Sequence, residues 1–165
     1  MGYTLEALIA PSDVARPFVA GHAAAHPVRL EQGLALVPLT DALKAEAAPD
    51  QPRRDLLLLE TSAKELPQPL ARTVAHLSQI GPVALVVAEF SPGEGAQASI
   101  VWRDGEIALG PIVQRDLSRN KPLHLWAINR ALRELGVHVI ATSSDEFESA
   151  GLQRARRTDD WLKLR

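Results

Sequence analysis

The sequence predicts a single α+β domain with a mixed, largely antiparallel central sheet and helices packed on it. Three observations carry this expectation. Asp104-Gly105 lies between two alternating apolar runs, which is a strong two-residue hairpin signal. Residues 83–90 are almost continuously apolar, as in a strand covered on both faces. Residues 70–77 and 125–135 repeat apolar side chains three and four apart, as a helix lying on a sheet does. Hairpins interleaved with single helices favour this architecture over a parallel α/β fold.

The elements follow in order. Residues 3–10 alternate as a strand does. Pro11-Ser12-Asp13 offers a helix N-cap, and Pro17 limits that helix to a short or bent one. Residues 28–32 and 34–39 read as two short strands around Gln32-Gly33, and Thr40 caps a helix through 41–45. Residues 47–55 hold two prolines and four charges and read as an exposed loop. Leu56-Leu57-Leu58-Leu59 reads as a buried strand, although the run alone does not exclude a helix.

Leu70, Val74 and Leu77 share one helical face, with Arg72, His76 and Gln79 off it; Gly81-Pro82 ends the helix. Counting outward from Asp104-Gly105 puts Arg103 opposite Glu106, Trp102 opposite Ile107 and Ile100 opposite Leu109. Leu125, Ile128, Leu132 and Leu135 form a further stripe between Pro122 and Gly136. Residues 137–141 read as a strand, and Ser144-Asp145-Glu146 opens a short helix closing near Gly151. The segment 153–165 is mostly charged, and Trp161-Leu162 is expected to dock it on the body.

At 165 residues the chain suits one core, and 46% hydrophobic with 23% charged residues is ordinary for a globular protein. The absence of cysteine removes disulfides, thiolate metal sites and cysteine nucleophiles, and suits a reducing cytoplasm. The first ten residues carry Glu6 and no basic stretch, so no signal peptide is expected. The longest apolar run, 83–88, falls far short of the ~20 residues of a membrane span. A net charge of −2 gives no field for nucleic acid. The charge is uneven, however. Residues 1–112 hold 8 basic and 13 acidic side chains, and 113–165 hold 10 and 7.

Few residues point to chemistry. Of His22, His26, His76, His124 and His138, only His22 and His26 stand four apart, with no acidic third ligand at a recognised spacing. No metal site is expected. Walker-type and Gly-x-Gly-x-x-Gly loops are missing, as is a Gly-x-Ser-x-Gly elbow, so no cofactor is expected. Glu89 ends an apolar run beside the glycine-bearing loop 91–95. A carboxylate partly buried there would suit general acid or base work, whereas a strand end reaching solvent is the plainer reading. Arg154, Arg156 and Arg157 cluster near Asp159, Asp160 and Trp161. They could contact an acidic partner surface, or be neutralised by their neighbours.

Residues 101–106 (Val-Trp-Arg-Asp-Gly-Glu), Gly110-Pro111, 127–132 (Ala-Ile-Asn-Arg-Ala-Leu), Asp145-Glu146-Phe147 and 158–161 (Thr-Asp-Asp-Trp) together resemble a family of small bacterial proteins of uncharacterised activity. That resemblance implies an α/β fold and brings no catalytic residues. In the order of its elements the same region, with 147–152 at its end, is also similar to the later part of Gcn5-related acetyltransferases. Their Gln/Arg-x-x-Gly-x-Gly/Ala pyrophosphate loop corresponds to residues 114–122, which contain no glycine and end on proline. The part that would hold coenzyme A is therefore missing.

Two functions are in view. The first is a non-catalytic module binding another protein, an immunity- or antitoxin-like inhibitor or an accessory subunit, through Trp102, Arg154, Arg156, Arg157 and Trp161. The second is a small-molecule enzyme, a degenerate acyltransferase-like fold being one form of it, using Glu89 as acid or base near Trp102 and the loop 91–95.

Overall fold

A computed structural model describes residues 2–49, 68–92, 94–115 and 122–164. The tetra-leucine run and most of the 47–55 loop lie outside the described residues. Six strands form one sheet: β1 (Tyr3–Pro11), β2 (Val28–Arg29), β3 (Leu34–Pro38), β4 (Val83–Ser91), β5 (Glu94–Arg103) and β6 (Glu106–Gln114). Their order across the sheet is β2-β3-β1-β4-β5-β6, and the registered pairs are antiparallel. Helices α1 (Ser12–Gly21), α2 (Asp41–Ala47), α3 (Gln68–Leu77), α4 (Ala127–Glu134) and α5 (Glu146–Ala150) complete an α+β fold. Among the described residues, no helix is long and apolar enough to cross a membrane.

The apolar run of β4 works as its pattern predicts. Val83, Leu85 and Val87 face one core with Val14 and Phe18 of α1, Leu43 of α2, and Leu70, Val74 and Leu77 of α3. Ala84, Val86 and Ala88 face the opposite core with Ile128, Ala131 and Leu132 of α4 and with Trp161. Because strand side chains alternate, a strand buried on both faces must be apolar at every position. Each fully buried Leu or Ile stabilises the fold by roughly 1.5–3 kcal/mol, so the sheet centre holds the molecule together.

Local chemistry sets the ends of several elements. Thr40 Oγ1 accepts the Leu43 N–H at 3.3 Å and starts α2. Asp145 Oδ1 accepts the Glu148 N–H at 2.9 Å, and Gly151 at φ 88° ends α5. Pro17 lies inside α1, which nevertheless runs to Gly21 with one helical hydrogen bond fewer. Loop 22–27 is tied down by Glu46, whose carboxylate accepts the Ala23 and Ala24 N–H groups and is held below the usual glutamate range by them. His22 stacks on Phe18 with ring centroids 4.3 Å apart and pairs through Nδ1 with the Phe18 carbonyl.

Of the strand expected over 28–32 only Val28–Arg29 forms, because Glu31–Gly33 closes into a 3-10 turn, and three further expectations need correction. At the hairpin, Asp104 (φ 54°) and Gly105 (φ 81°) make the predicted turn, and Arg103 meets Glu106 and Trp102 meets Ile107. Beyond them the register slips, so that Val101, not Ile100, faces Leu109. The irregularity spends an extra residue of β6 and turns Leu109 toward the α4 side.

The stripe from Leu125 to Leu135 is also broken. Trp126 is extended, so α4 begins at Ala127 and Leu125 is exposed in a separate 3-10 turn, Leu123–Leu125. Side chains from the sheet explain the start. Gln114 Oε1 accepts the Ala127 N–H and Gln97 Oε1 the Ile128 N–H, while Gln114 Nε2 donates to the Leu125 carbonyl. The first two amides of α4 are thus taken by the chain's own glutamines.

Finally, residues 137–141 form no strand. Their backbone groups find side chains instead: His138 exchanges two hydrogen bonds with the Gln32 amide, and the Ile140 N–H meets Ser149 Oγ. An amide side chain here replaces a neighbouring strand.

Candidate binding groove

The C-terminal segment builds the site. After α5, Gly151 takes φ 88° and leads into the 3-10 turn Leu152–Arg154. The backbone carbonyl of Leu152 accepts the Tyr3 hydroxyl at 3.1 Å. The chain then passes β1 where β3 has left it. The Thr4 N–H meets the Arg156 carbonyl at 2.8 Å, and the Glu6 N–H meets Thr158 Oγ1 at 3.0 Å. It ends in the 3-10 helix Thr158–Lys163, whose Trp161 is fully buried in the core on the α4 side.

This path aims Arg154 at the edge of the sheet. Its Nη1 donates to the Arg29 carbonyl of β2 at 2.6 Å, and its guanidinium carbon lies 6.0 Å from the centre of the Trp161 ring. Gly151 makes room for the side chain, since a Cβ there would come within 3.3 Å of Arg154 Cδ. Beside it opens a groove of about 400 Å³ lined by Arg29, Leu30, Glu31, Gln32, Gly33 and Arg154. Its floor turns sharply at Gln32 (φ 56°) and Gly33 (φ 77°), and the Gln32 amide is locked to His138. Neither Arg29 nor Arg154 makes an ion pair among the described residues. The residues lining the groove therefore carry two positive charges, on Arg29 and Arg154, against the single carboxylate of Glu31.

The other residues singled out in the sequence scatter. Arg156 and Arg157 are exposed. Asp160 is held below the usual aspartate range chiefly by its hydrogen bond from Lys163, with Arg157 adding to it. Trp161 and Trp102 are core residues, the latter 4% exposed beneath the α1–α3 layer, so neither tryptophan offers a contact surface. Glu89 is exposed near the end of β4, opposite Thr4 and Ala96. It lacks the burial on which the acid–base reading rests. Nor does it lie near Trp102, which pairs with Val83 at the far end of the same strand, about 20 Å away at the rise of a strand. Among the described residues no three His, Asp or Glu side chains stand together as a metal site would need.

Sequence reasoning missed Arg29 and Gln32. They join the site through contacts spanning 125 and 106 residues, and no local pattern announces such a pairing. A second group it missed is aromatic. Tyr3 packs on Phe90 and Phe147, and Phe90 stacks on Trp126 with centroids 6.1 Å apart. Gly95 admits the Phe90 ring, since a Cβ there would fall 2.4 Å from Phe90 Cδ1.

Tyr3 gives a spectroscopic handle on this end of the molecule. Burial pushes its hydroxyl far above the ordinary tyrosine value of 10.0. A group with a raised folded value contributes stability that is complete below 10 and is lost as pH rises toward that folded value. Tyr3 is the single tyrosine of the chain, so tyrosinate absorbance reports it alone. The absorbance is expected to stay silent at pH 10 and to appear together with alkaline unfolding. Ordinary titration while the far-ultraviolet circular dichroism stays native would contradict the buried placement.

Comparison with protein-family models, with curated proteins and with solved structures finds no match to this chain.

Proposed function

We propose that this chain is a non-catalytic cytoplasmic module that binds another protein, as an immunity- or antitoxin-like inhibitor or an accessory subunit does. One observation carries the reading: Arg154 is an exposed cation held in place by the fold itself, through a backbone carbonyl and a buried indole. Arginines fixed in this way lose little side-chain entropy on meeting a partner, and arginine is enriched among residues that dominate binding energy. Arg156 and Arg157 extend the cationic surface along the same segment.

The test is native mass spectrometry of the protein captured gently from its source cells, as wild type and with Arg154, Arg156 and Arg157 all changed to alanine. A stoichiometric protein partner that is lost or strongly depleted in the variant is the expected result. A partner retained equally by both would remove the arginines from the interface. A retained metabolite with no protein would overturn the module altogether.

A further inference from the structure

We infer that the groove between Arg29 and Arg154 is an oxyanion site, and that its occupant is a carboxylate carried by an acidic peptide segment. The choice of a peptide rests on the protein-binding reading; the oxyanion chemistry does not. Guanidinium groups present several N–H donors in a plane that matches a carboxylate. Arg154 uses one donor on the Arg29 carbonyl and keeps the rest. Arg29 engages Arg154 through its main chain, and its exposed side chain makes no ion pair among the described residues.

The walls are fixed before any ligand arrives. Gln32 is bonded to His138 in both directions, and Arg154 is braced against Trp161. The groove flanks β2, the outermost strand at its end of the sheet. Its volume of about 400 Å³ exceeds what a lone phosphate fills and suits a short stretch of chain with one anchoring side chain. Glu31 opposes any anion there and sets the net attraction at one positive charge.

Two substitutions with opposite signs test the site. Arg29→Ala removes a cation yet leaves the main-chain carbonyl that holds Arg154. Glu31→Gln removes the opposing carboxylate from an exposed position. Labelled hexaglutamate is titrated into the full chain at low salt and followed by fluorescence anisotropy, with inorganic phosphate titrated separately. The peptide is expected to bind, roughly tenfold more weakly to Arg29→Ala and a few-fold more tightly to Glu31→Gln. Equal affinity of both variants with wild type would overturn the site, as would binding of neither the peptide nor phosphate. Phosphate binding with the peptide silent would overturn the peptide assignment. Should the groove fail while the triple arginine variant still loses its partner, the protein-binding reading survives without it.

Discussion

Trp161→Ala is expected to destabilise the protein by about 3–5 kcal/mol, the range for deleting a large buried aromatic side chain. The ring is fully buried among Leu5, Ile9, Leu36 and Leu152, which are themselves almost wholly buried. It also anchors a segment that gains little from helix formation, because Thr158–Lys163 is a 3-10 helix of six residues. Removing it leaves a cavity and frees the strap whose Arg156 carbonyl and Thr158 hydroxyl satisfy the β1 amides. Trp161→Phe separates packing from polarity. The indole N–H has no hydrogen-bond partner among the described residues, so losing it relieves an unsatisfied donor, and the phenyl ring should cost less than half as much as alanine. Urea unfolding followed by circular dichroism measures both. A loss below about 1 kcal/mol for alanine would mean that the strap does not depend on this side chain.

The sequence supports two readings of the same residue, an anchor docking the segment on the body and an interface contact, and the buried ring agrees with the anchor alone. Tryptophan and arginine are common at interfaces, and a cluster of them near a terminus reads as a contact surface. Residue type does not say which way the chain turns, and here the backbone bonds of Thr4 and Glu6 direct the indole inward and leave the arginines outside. Arg154 was therefore legible as a cation in a cluster, whereas its setting against Arg29 and Trp161 was not. Of the two readings of Glu89, the strand end reaching solvent agrees with the structure and the buried carboxylate does not. An apolar run marks a strand buried on both faces, but it does not mark where the covering helices stop, and β4 reaches solvent at Glu89.

Features governed by neighbouring residues were readable. The Asp104-Gly105 turn, the Thr40 and Asp145 caps and the double-sided burial of β4 each rest on chemistry within a few positions. Features governed by side chains reaching across the fold were not. Gln97 and Gln114 decide where α4 begins, and Gln32 stands in for a strand beside His138. A glutamine in a sequence carries no mark of such a role, because its amide can match a peptide group anywhere.

Arg133→Ala is the second large effect, and its cause is electrostatic. Arg133 Nη1 meets Glu146 Oε1 at 2.8 Å, and its Nη2 donates to the His124 carbonyl. The Glu146 side chain is 6% exposed, and its second oxygen has no hydrogen-bond partner among the described residues. Alanine at 133 would leave that carboxylate buried with no counter-ion among the described residues. Losing one member of a fully buried pair costs about 3–5 kcal/mol. Arg133 is 38% exposed, so water already screens part of the attraction and a loss of about 2–3 kcal/mol is expected. Glu146→Gln distinguishes this cause from lost packing. The amide keeps the shape of the side chain and removes its charge, so in the Arg133→Ala background it should recover a large share of the lost stability. Additive losses in the double variant would instead assign the effect to the contacts of the Arg133 stem and its hold on the 123–125 turn.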